Sequence, residues 1–324
     1  MMGKWLGFLR VSFLGILSLT ILFPSFSMGQ EYPSQPIQLI MPWPPGGGSP
    51  VLGTMIAEEA KKYIPKPLLI IYKPGAAGTI GTMYAKTAKP DGYTLLSATP
   101  GQFYAPFIQK IDYSYRDFEI IAQTATRPST LIVKQDAPWK NLREFIKYAK
   151  ENPGVVTIGN AGSYASTHFT AIRFEKIAGI KVTHVPFKGG AESHSALAGG
   201  HISCASRHSG DSESLIESGK LRVLTVFGSK RSRLYPNTPA SKEEGIDLEQ
   251  TGWTVLMAPK GTPKPILKYW EAFIEKLSHD KAFTEKVEKL KMQYEFKSGE
   301  QFAEYLDNEM KFLQRIIAEL GIKR

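Results

Sequence analysis

Short apolar runs rich in β-branched residues alternate with helical patterns in the first third of the chain. The runs at residues 37–43, 67–72 and 93–98 resemble buried strands, and residues 51–64 and 79–87 have helical spacing between them. Strands that are apolar on both faces and alternate with helices are typical of a parallel sheet covered by helices. The pattern therefore predicts an α/β fold that begins with a βαβαβ unit.

A second alternating series follows the first, and a turn-rich tract at residues 228–245 ends it. This series consists of amphipathic segments separated by short apolar runs. The predicted helices span residues 141–150, 166–177, 191–198 and 212–218, and the predicted strands span residues 130–133, 155–159, 181–187, 201–205 and 222–227.

The C-terminal part adds helices whose apolar faces must pack against a sheet. Residues 261–263 (GTP) predict a cap and a first-turn proline, and Ser298 with Gln301 has the spacing of a capping box. The first series is the natural place for these helices to pack, so the chain should cross twice between two lobes. We predict one lobe from residues 30–128 with 253–324, a second from residues 129–252, and a ligand cleft between them.

Residues 1–29 have the features of a secretory signal peptide. Lys4 and Arg10 lie before an apolar run at residues 11–23, and small residues precede a possible cleavage site after Gly29. A membrane anchor is the alternative, but this run is shorter than the roughly 20 apolar residues that a spanning helix needs. We therefore predict export and cleavage after about Gly29.

The chain contains one cysteine, Cys204, far from the predicted cleavage site. A lipid-modified cysteine at the mature N-terminus is thus not available, and an internal disulfide cannot form. These observations predict a periplasmic protein that is not a lipoprotein and whose fold depends on its own core. We expect a monomer.

The chain is basic, with 40 Lys and Arg against 30 Asp and Glu. It stays basic after removal of Lys4 and Arg10 with the signal peptide. The basic residues are spread along the sequence, and the densest cluster, at residues 230–233, is short and followed by turn residues. This distribution argues against nucleic acid as a partner and favours small anions.

Two small-residue loops follow the first two predicted strands. Residues 43–49 (WPPGGGS) precede a helix, where free backbone N–H groups can bind an anion, although a plain tight turn is the alternative. Residues 75–81 (GAAGTIG) repeat this arrangement, and the carboxyl ends of neighbouring parallel strands are where such sheets bind ligands. Neither loop has a basic residue between its glycines. Recognition would rest on backbone N–H groups and the Ser49 and Thr79 hydroxyls, which suits a carboxylate.

No enzyme motif stands out in the sequence. The GxSxG, HExxH, GxxxxGK[ST] and CxxC patterns are absent, so we predict a binding protein without a catalytic residue, cofactor or metal. One interpretation of His201, Cys204 and His208 is a metal-binding or thiol-catalysis site. However, residues three apart on a strand point to opposite faces, and a buried Cys204 is favoured.

Two further interpretations stay open for polar residues of the second series. His168 is either a core or cap histidine or a lining residue of the cleft. Ser163, His168 and Asp211 allow an exported hydrolase as the alternative function, but their spacing matches no nucleophile motif.

Several motifs in order along the chain closely resemble the Bug or TctC family of periplasmic solute-binding proteins. The resemblance covers essentially the whole predicted mature chain. Its motifs are YP at residues 32–33, PI at 36–37, PWPPGG at 42–47, PGAAGTIG at 74–81, PDGYTLL at 90–96, VPFKGG at 185–190, GKLR at 219–222, KRS at 230–232 and APKGTP at 258–263.

This resemblance implies a two-lobed, type II-like periplasmic-binding-protein fold with two crossovers and a cleft that closes on a carboxylate. The partners implied are the membrane subunits of a tripartite tricarboxylate transporter or, in some members, a sensor protein. Together with the aromatic residues near the loops, it gives a predicted ligand site. The predicted contacts are Trp43, Pro45, Gly46, Gly47, Gly48, Ser49, Ala76, Ala77, Gly78, Thr79, Tyr104, Ser163, Tyr164, His168, Phe187, Lys188, Gly189 and Arg207.

This chain departs from the family pattern at three places. Many members have an aspartate where Pro50 stands, and Tyr164 with Ala165 replace a glycine and a hydroxyl residue. Arg207 stands where an acidic residue is common. We hypothesise that Arg207 binds a second, distal carboxylate, the alternative being a surface arginine.

Overall fold

A computed structural model describes residues 32–163, 165–319 and 321, and the predicted signal peptide lies outside them. The strands are β1 (Ile37–Met41), β2 (Leu68–Tyr72), β3 (Thr94–Ala98), β4 (Phe118–Lys134), β5 (Thr157–Asn160), β6 (Thr183–Pro186), β7 (Cys204–His208), β8 (Leu221–Val226), β9 (Thr251–Pro259) and β10 (Gln293–Ser298). The helices are α1 (Gly48–Ala60), α2 (Thr79–Lys86), α3 (Pro100–Tyr104), α4 (Leu142–Glu151), α5 (Ser166–Ala178), α6 (Gly190–Ala198), α7 (Glu213–Glu217), α8 (Lys264–His279), α9 (Lys281–Lys289) and α10 (Gly299–Glu319).

The long strand β4 joins two halves of the sheet. Its first part, through Pro128, pairs antiparallel with β9 and β10, and its last part, from Ser129, pairs antiparallel with β7 and β8. The first half has the order β2-β1-β3-β9-β4, and the second has the order β4-β7-β5-β6. The chain thus passes from one half to the other along β4 and returns at β9.

The predicted parallel sheet is confirmed for β1, β2 and β3, which pair in parallel. Beyond them the sheet is mixed, because β9 returns antiparallel beside β3. Strand β2 lies at the edge, so Leu69 and Tyr72 are exposed and the expectation of burial on both faces is wrong there. The described residues of Pro33–Arg324 form one unit by their contacts, and the lobe boundaries stay a prediction.

The strand predicted at residues 201–205 lies three residues further along, at Cys204–His208. Pairing with β4 fixes its position, since Val133 faces Cys204 and Ser129 faces His208. Gly200 has a positive φ and belongs to the turn that precedes the strand. As a result, Arg207 lies within the strand, near its carboxyl end, rather than after it.

Separate apolar clusters fill the two halves. Trp253, Phe103 and Phe302 lie in the first cluster, whereas Phe145 and Phe174 lie in the second.

The C-terminal helices begin where their sequences indicate, with one correction. Ser298 and Gln301 form the predicted capping box at the start of α10, each side chain accepting from the other's backbone N–H. The other cap prediction is wrong: Pro263, not Thr262, is the residue before α8, and the first-turn proline is Pro265. The Thr262 hydroxyl donates instead to the carbonyl of Pro259. Helix α9 and strand β10 were not predicted.

Gly299 holds α10 against β4 by having no side chain. A Cβ atom at this position would lie 2.2 Å from the carbonyl oxygen of Ile120 and 3.0 Å from that of Ile121. Gly299→Ala is expected to lower the free energy of unfolding by about 2–3 kcal/mol, because backbone must move to make room. Urea denaturation measures the change. The neighbouring exposed change Glu300→Ala should stay within about 0.5 kcal/mol, and equal stability of both variants would contradict this packing.

Candidate functional site

A cavity of about 70 Å³ lies where the glycine loop meets the middle of β4 and the carboxyl end of β7. The loop after β1 supplies one wall, and α1 begins within it at Gly48. Small residues and the amino end of α5 supply the opposite wall. The lining residues are Trp43, Pro44, Pro45, Gly46, Gly47, Gly48, Ser49, Pro50, Thr99, Arg127, Ala161, Ala165, Ser166, Thr167, Gly190, Ala191, His194, Arg207, His208 and Asp211.

A buried ionic cluster forms the floor of this cavity. The Asp211 carboxylate accepts from Arg127 Nη1 at 2.8 Å through Oδ1 and from Arg207 Nη2 at 2.8 Å through Oδ2. Oδ1 also accepts from the backbone N–H of Gly48 at 3.2 Å, in the first turn of α1. The cluster therefore connects the glycine loop, β4 and β7 at one point.

The three charged side chains of the cluster are almost fully removed from solvent. Their exposed fractions are 6% for Arg127, 4% for Arg207 and 7% for Asp211. Burial alone would raise the pKa of Asp211, but the two guanidinium groups reverse this and hold that pKa well below its usual range. Asp211 is thus ionised at neutral pH, and two cations face one anion.

Part of the guanidinium hydrogen-bonding capacity is unused. Within the described residues, Arg127 Nε and both Nε and Nη1 of Arg207 are buried and have no hydrogen-bond acceptor. Buried donors of this kind cost free energy when they stay unpaired, and such groups are normally satisfied. The cluster therefore offers N–H donors that a bound anion or an ordered water can accept.

Two neutral histidines flank the cluster. His208 lies between Ser129 Oγ at 3.0 Å from Nδ1 and Ser166 Oγ at 2.9 Å from Nε2. Burial, with the positive charge of Arg127 as a further cause, lowers the pKa of His208 to about 3. His194 pairs with the Ser212 hydroxyl, and burial beside Arg207 lowers its pKa to about 4. Both rings are uncharged at neutral pH.

The glycine loop approaches the cluster closely because Gly48 has no side chain. A Cβ atom there would lie 2.6 Å from Arg127 Nη1 and 3.1 Å from Asp211 Oδ1. Trp43 fixes the other end of the loop by donating its indole N–H to the Thr99 hydroxyl at 2.9 Å. The Ser49 hydroxyl is within 3.4 Å of the Thr254 hydroxyl.

An open groove of about 800 Å³ adjoins the cavity and shares Pro44, Ala161 and Ala191 with it. The second small-residue loop lines this groove, and its residues Ala76 and Ala77 have positive φ values, a backbone conformation that non-glycine residues rarely adopt. The predicted site residues found here are Ala76, Ala77, Ser163, Phe187, Lys188 and Gly189.

Four predicted contacts line neither the cavity nor the groove. Tyr104 is buried, its hydroxyl donates to Glu309 at 2.5 Å, and its role as a ligand contact stays a prediction. His168 packs edge to face on His184 with ring centroids 4.9 Å apart, and burial lowers its pKa to about 4.

Gly78 and Thr79 are the other two residues outside the site. Gly78 packs against the side chain of Gln102, and Thr79 begins α2 and is buried. The start of α2 at this position takes both residues away from the groove. Tyr164 lies outside the described residues.

The remaining cysteine and histidine predictions have clear outcomes. Cys204 is fully buried as predicted, burial raises the pKa of its thiol, and Sγ lies 3.6 Å from the carbonyl oxygen of Thr157. His201 is exposed in the turn before β7 rather than on a strand. In the described part of the chain, no group of three His, Cys, Asp or Glu side chains lies close enough to hold a metal ion.

The sequence analysis missed most of the ionic cluster. Arg127 is a charged residue in a mostly apolar stretch, followed by Pro128, and Asp211 lies four residues after Arg207. These were the available signals, but only the pairing of β4 with β7 brings the residues together. The alternative that Arg207 is a surface arginine is wrong, since the residue is buried.

Comparisons with known proteins agree with this architecture. The sequence model of the tripartite tricarboxylate transporter family receptor matches residues 53–322. A Cupriavidus necator protein, described as "UPF0065 protein in gbd 5'region", is 33% identical over 303 residues, covering 93% of this chain and 92% of that protein. The chain belongs to the TctC receptor family.

Solved structures of TctC receptors and similar proteins confirm the fold. A TctC solute binding protein from Polaromonas has 31% identity and a TM-score of 0.69, with 89% of this chain and 99% of that chain covered. The structure "R. palustris Rpa4515 with adipate" has a TM-score of 0.87 at 24% identity, covering 90% of this chain and 99% of the other. The two-lobed α/β periplasmic-binding-protein fold expected from the resemblance is thus confirmed. Among the described residues, no helix has the length and apolar character needed to cross a membrane.

Stability of this TctC receptor should fall on acidification. His168, His194 and His208 have pKa values below that of an unfolded histidine, about 6.5, so the unfolded chain binds protons that the fold does not. Their stabilising contribution is present above about pH 6.5 and is lost as the pH falls toward 4. Each histidine changes the free energy of unfolding by at most about 1.4 kcal/mol per pH unit.

The test compares slopes of unfolding free energy between pH 6.5 and 4.5. His208→Asn should lose stability less steeply than the parent over this range. Glu309, whose pKa burial raises to about 7, acts in the opposite direction in both proteins. A parental slope in the His208→Asn variant would contradict the neutral, buried state of His208.

Proposed function

We propose that this chain is an extracytoplasmic receptor that captures a small carboxylate and delivers it to the membrane subunits of a tripartite transporter. The observation that carries the proposal is the buried excess of positive charge beside the glycine loop, with three guanidinium N–H groups that have no acceptor. A carboxylate supplies both the charge and the acceptor atoms. The TctC family gives the transport context.

The residues of the proposed site divide between the cavity and the adjoining groove. In this chain, the loop at residues 44–49 and Arg207 form the inner part of the proposed site, and Ala76, Ala77 and Phe187–Gly189 form its open side. We further propose that the mature protein begins after about Gly29 and works as a periplasmic monomer. Its lobes would be residues 30–128 with 253–324 and residues 129–252, and they would close on the ligand.

The site geometry favours binding over catalysis. Ser166 and His208 are within hydrogen-bond distance, which is the arrangement of a nucleophile and its base. A general base works best with a pKa near the operating pH, and the pKa of His208 is about 3. This pair is therefore a weak candidate for hydrolysis and a suitable polar wall for a bound ligand.

A thermal-shift screen of the mature protein tests the proposal. Mono-, di- and aromatic carboxylates are compared with their primary amides, which keep the shape but lose the charge. A bound carboxylate at 100 times its dissociation constant should add about 2.7 kcal/mol of stability, and its amide should add almost none. No response to any carboxylate, or equal responses to acids and amides, would contradict the proposed function.

Arg207→Gln is expected to weaken carboxylate binding by about 1.5–3 kcal/mol, because a charged hydrogen bond is lost. The variant keeps the Arg127 to Asp211 pair and should therefore still fold. Arg231→Gln is the matched control, since Arg231 is an exposed arginine paired with Glu243. Calorimetric titration measures both variants, and equal affinity in them would exclude Arg207 from the site.

A further inference from the structure

The charge of the cavity lining can be counted over the residues that the structure describes. The lining contains Arg127, Arg207 and Asp211 as charged side chains, and its histidines, His194 and His208, are neutral at pH 7. The elements packed around the cluster add no further charged group to this lining. The cavity therefore carries a net charge of one positive unit.

The cluster contains its own carboxylate. Asp211 already accepts three hydrogen bonds, from Gly48, Arg127 and Arg207, and so occupies the place between the two guanidinium groups. What stays unpaired is Nε of each arginine and Nη1 of Arg207. Some donors of the two arginines are thus bound to Asp211, and the others have no acceptor among the described protein atoms.

We infer that the cavity selects ligands that carry a single negative charge, namely short monocarboxylates rather than dicarboxylates or zwitterions. One carboxylate brings the buried charge to zero and supplies acceptors for the unpaired N–H groups. A second carboxylate held inside would leave an uncompensated negative charge away from water, which is costly. This inference rests on the proposed function and specifies the ligand class of the same site.

The remaining walls fit an uncharged ligand body. Pro44, Pro45, Ala161, Ala165 and Ala191 provide small apolar surfaces, and the cavity volume is about 70 Å³. Asp211 is a poor partner for a ligand ammonium group, because each of its oxygens already accepts from an arginine donor. An amino-acid ligand would therefore bring a positive charge to a site that is already positive.

The test uses four-carbon ligands that differ in charge at the far end: butyrate, 4-aminobutyrate and succinate. Benzoate and terephthalate form a second matched pair for an aromatic body. Calorimetric titrations of the mature protein at pH 7.5 and constant ionic strength should give butyrate at least tenfold tighter binding than succinate or 4-aminobutyrate. A tenfold ratio corresponds to about 1.4 kcal/mol. Benzoate should exceed terephthalate in the same direction.

Two variants change the charge of the cluster in opposite directions. Asp211→Asn raises it to two positive units and should shift the succinate to butyrate affinity ratio at least tenfold toward succinate. Arg207→Gln lowers it to zero and should weaken butyrate at least tenfold. Arg231→Gln lies in the exposed pair with Glu243 and should leave all ratios unchanged.

Folding is checked by circular dichroism, because Asp211→Asn leaves two buried arginines without their aspartate. If that variant does not fold, the affinities of the parent protein for butyrate and succinate still decide the matter. Tighter binding of succinate than of butyrate by the parent, or ratios that neither charge variant changes, would overturn the inference and leave the carboxylate receptor intact. Absence of binding by every carboxylate, including those of the wider screen, would contradict the proposed function itself and this inference with it.

Discussion

The buried contact of Asp211 with Arg127 and Arg207 is the interaction on which the candidate site depends. It brings together the first turn of α1, the middle of β4 and the end of β7. Along the chain, Asp211 lies 163 residues from Gly48, 84 from Arg127 and 4 from Arg207. Removing one partner from a buried ion cluster typically costs about 3–5 kcal/mol, because the remaining charge stays out of water. The same cluster leaves guanidinium donors unpaired. It therefore both holds the glycine loop in place through Asp211 and offers hydrogen bonds to a bound anion.

The amino-acid sequence predicted much of the framework. The β1, β2 and β3 strands, most helices and the position of the glycine loop follow from local hydrophobic periodicity and glycine placement. The site chemistry did not follow from these signals. The register of β7 is set by its pairing with β4. Strand β7 lies three residues further along the chain than predicted, so Arg207 is part of a buried strand rather than a residue after it. Arg127 belongs to no recognisable sequence motif. Its contact with Asp211 depends on the pairing of strands that are distant in sequence.

The amino end of α1 binds a carboxylate from a distant part of the chain. The resemblance indicates an aspartate in many relatives where this chain has Pro50, and a negative charge is favourable near the start of a helix. Here Asp211 brings a carboxylate to the N–H of Gly48 at that helix end. Pro50 lies in the first turn, where a missing N–H costs little. The helix start therefore has a carboxylate beside it although residue 50 does not supply one.

The most direct measurement is a crystal structure of the mature protein grown with butyrate. The account predicts a carboxylate in the cavity, with its oxygens within hydrogen-bond distance of Nε or Nη1 of Arg207 and of Arg127 Nε. Asp211 should keep its contacts with both arginines. A butyrate found only in the outer groove beside Ala76 and Phe187, with the guanidinium donors still unpaired, would contradict the central claim that the buried positive charge binds the ligand.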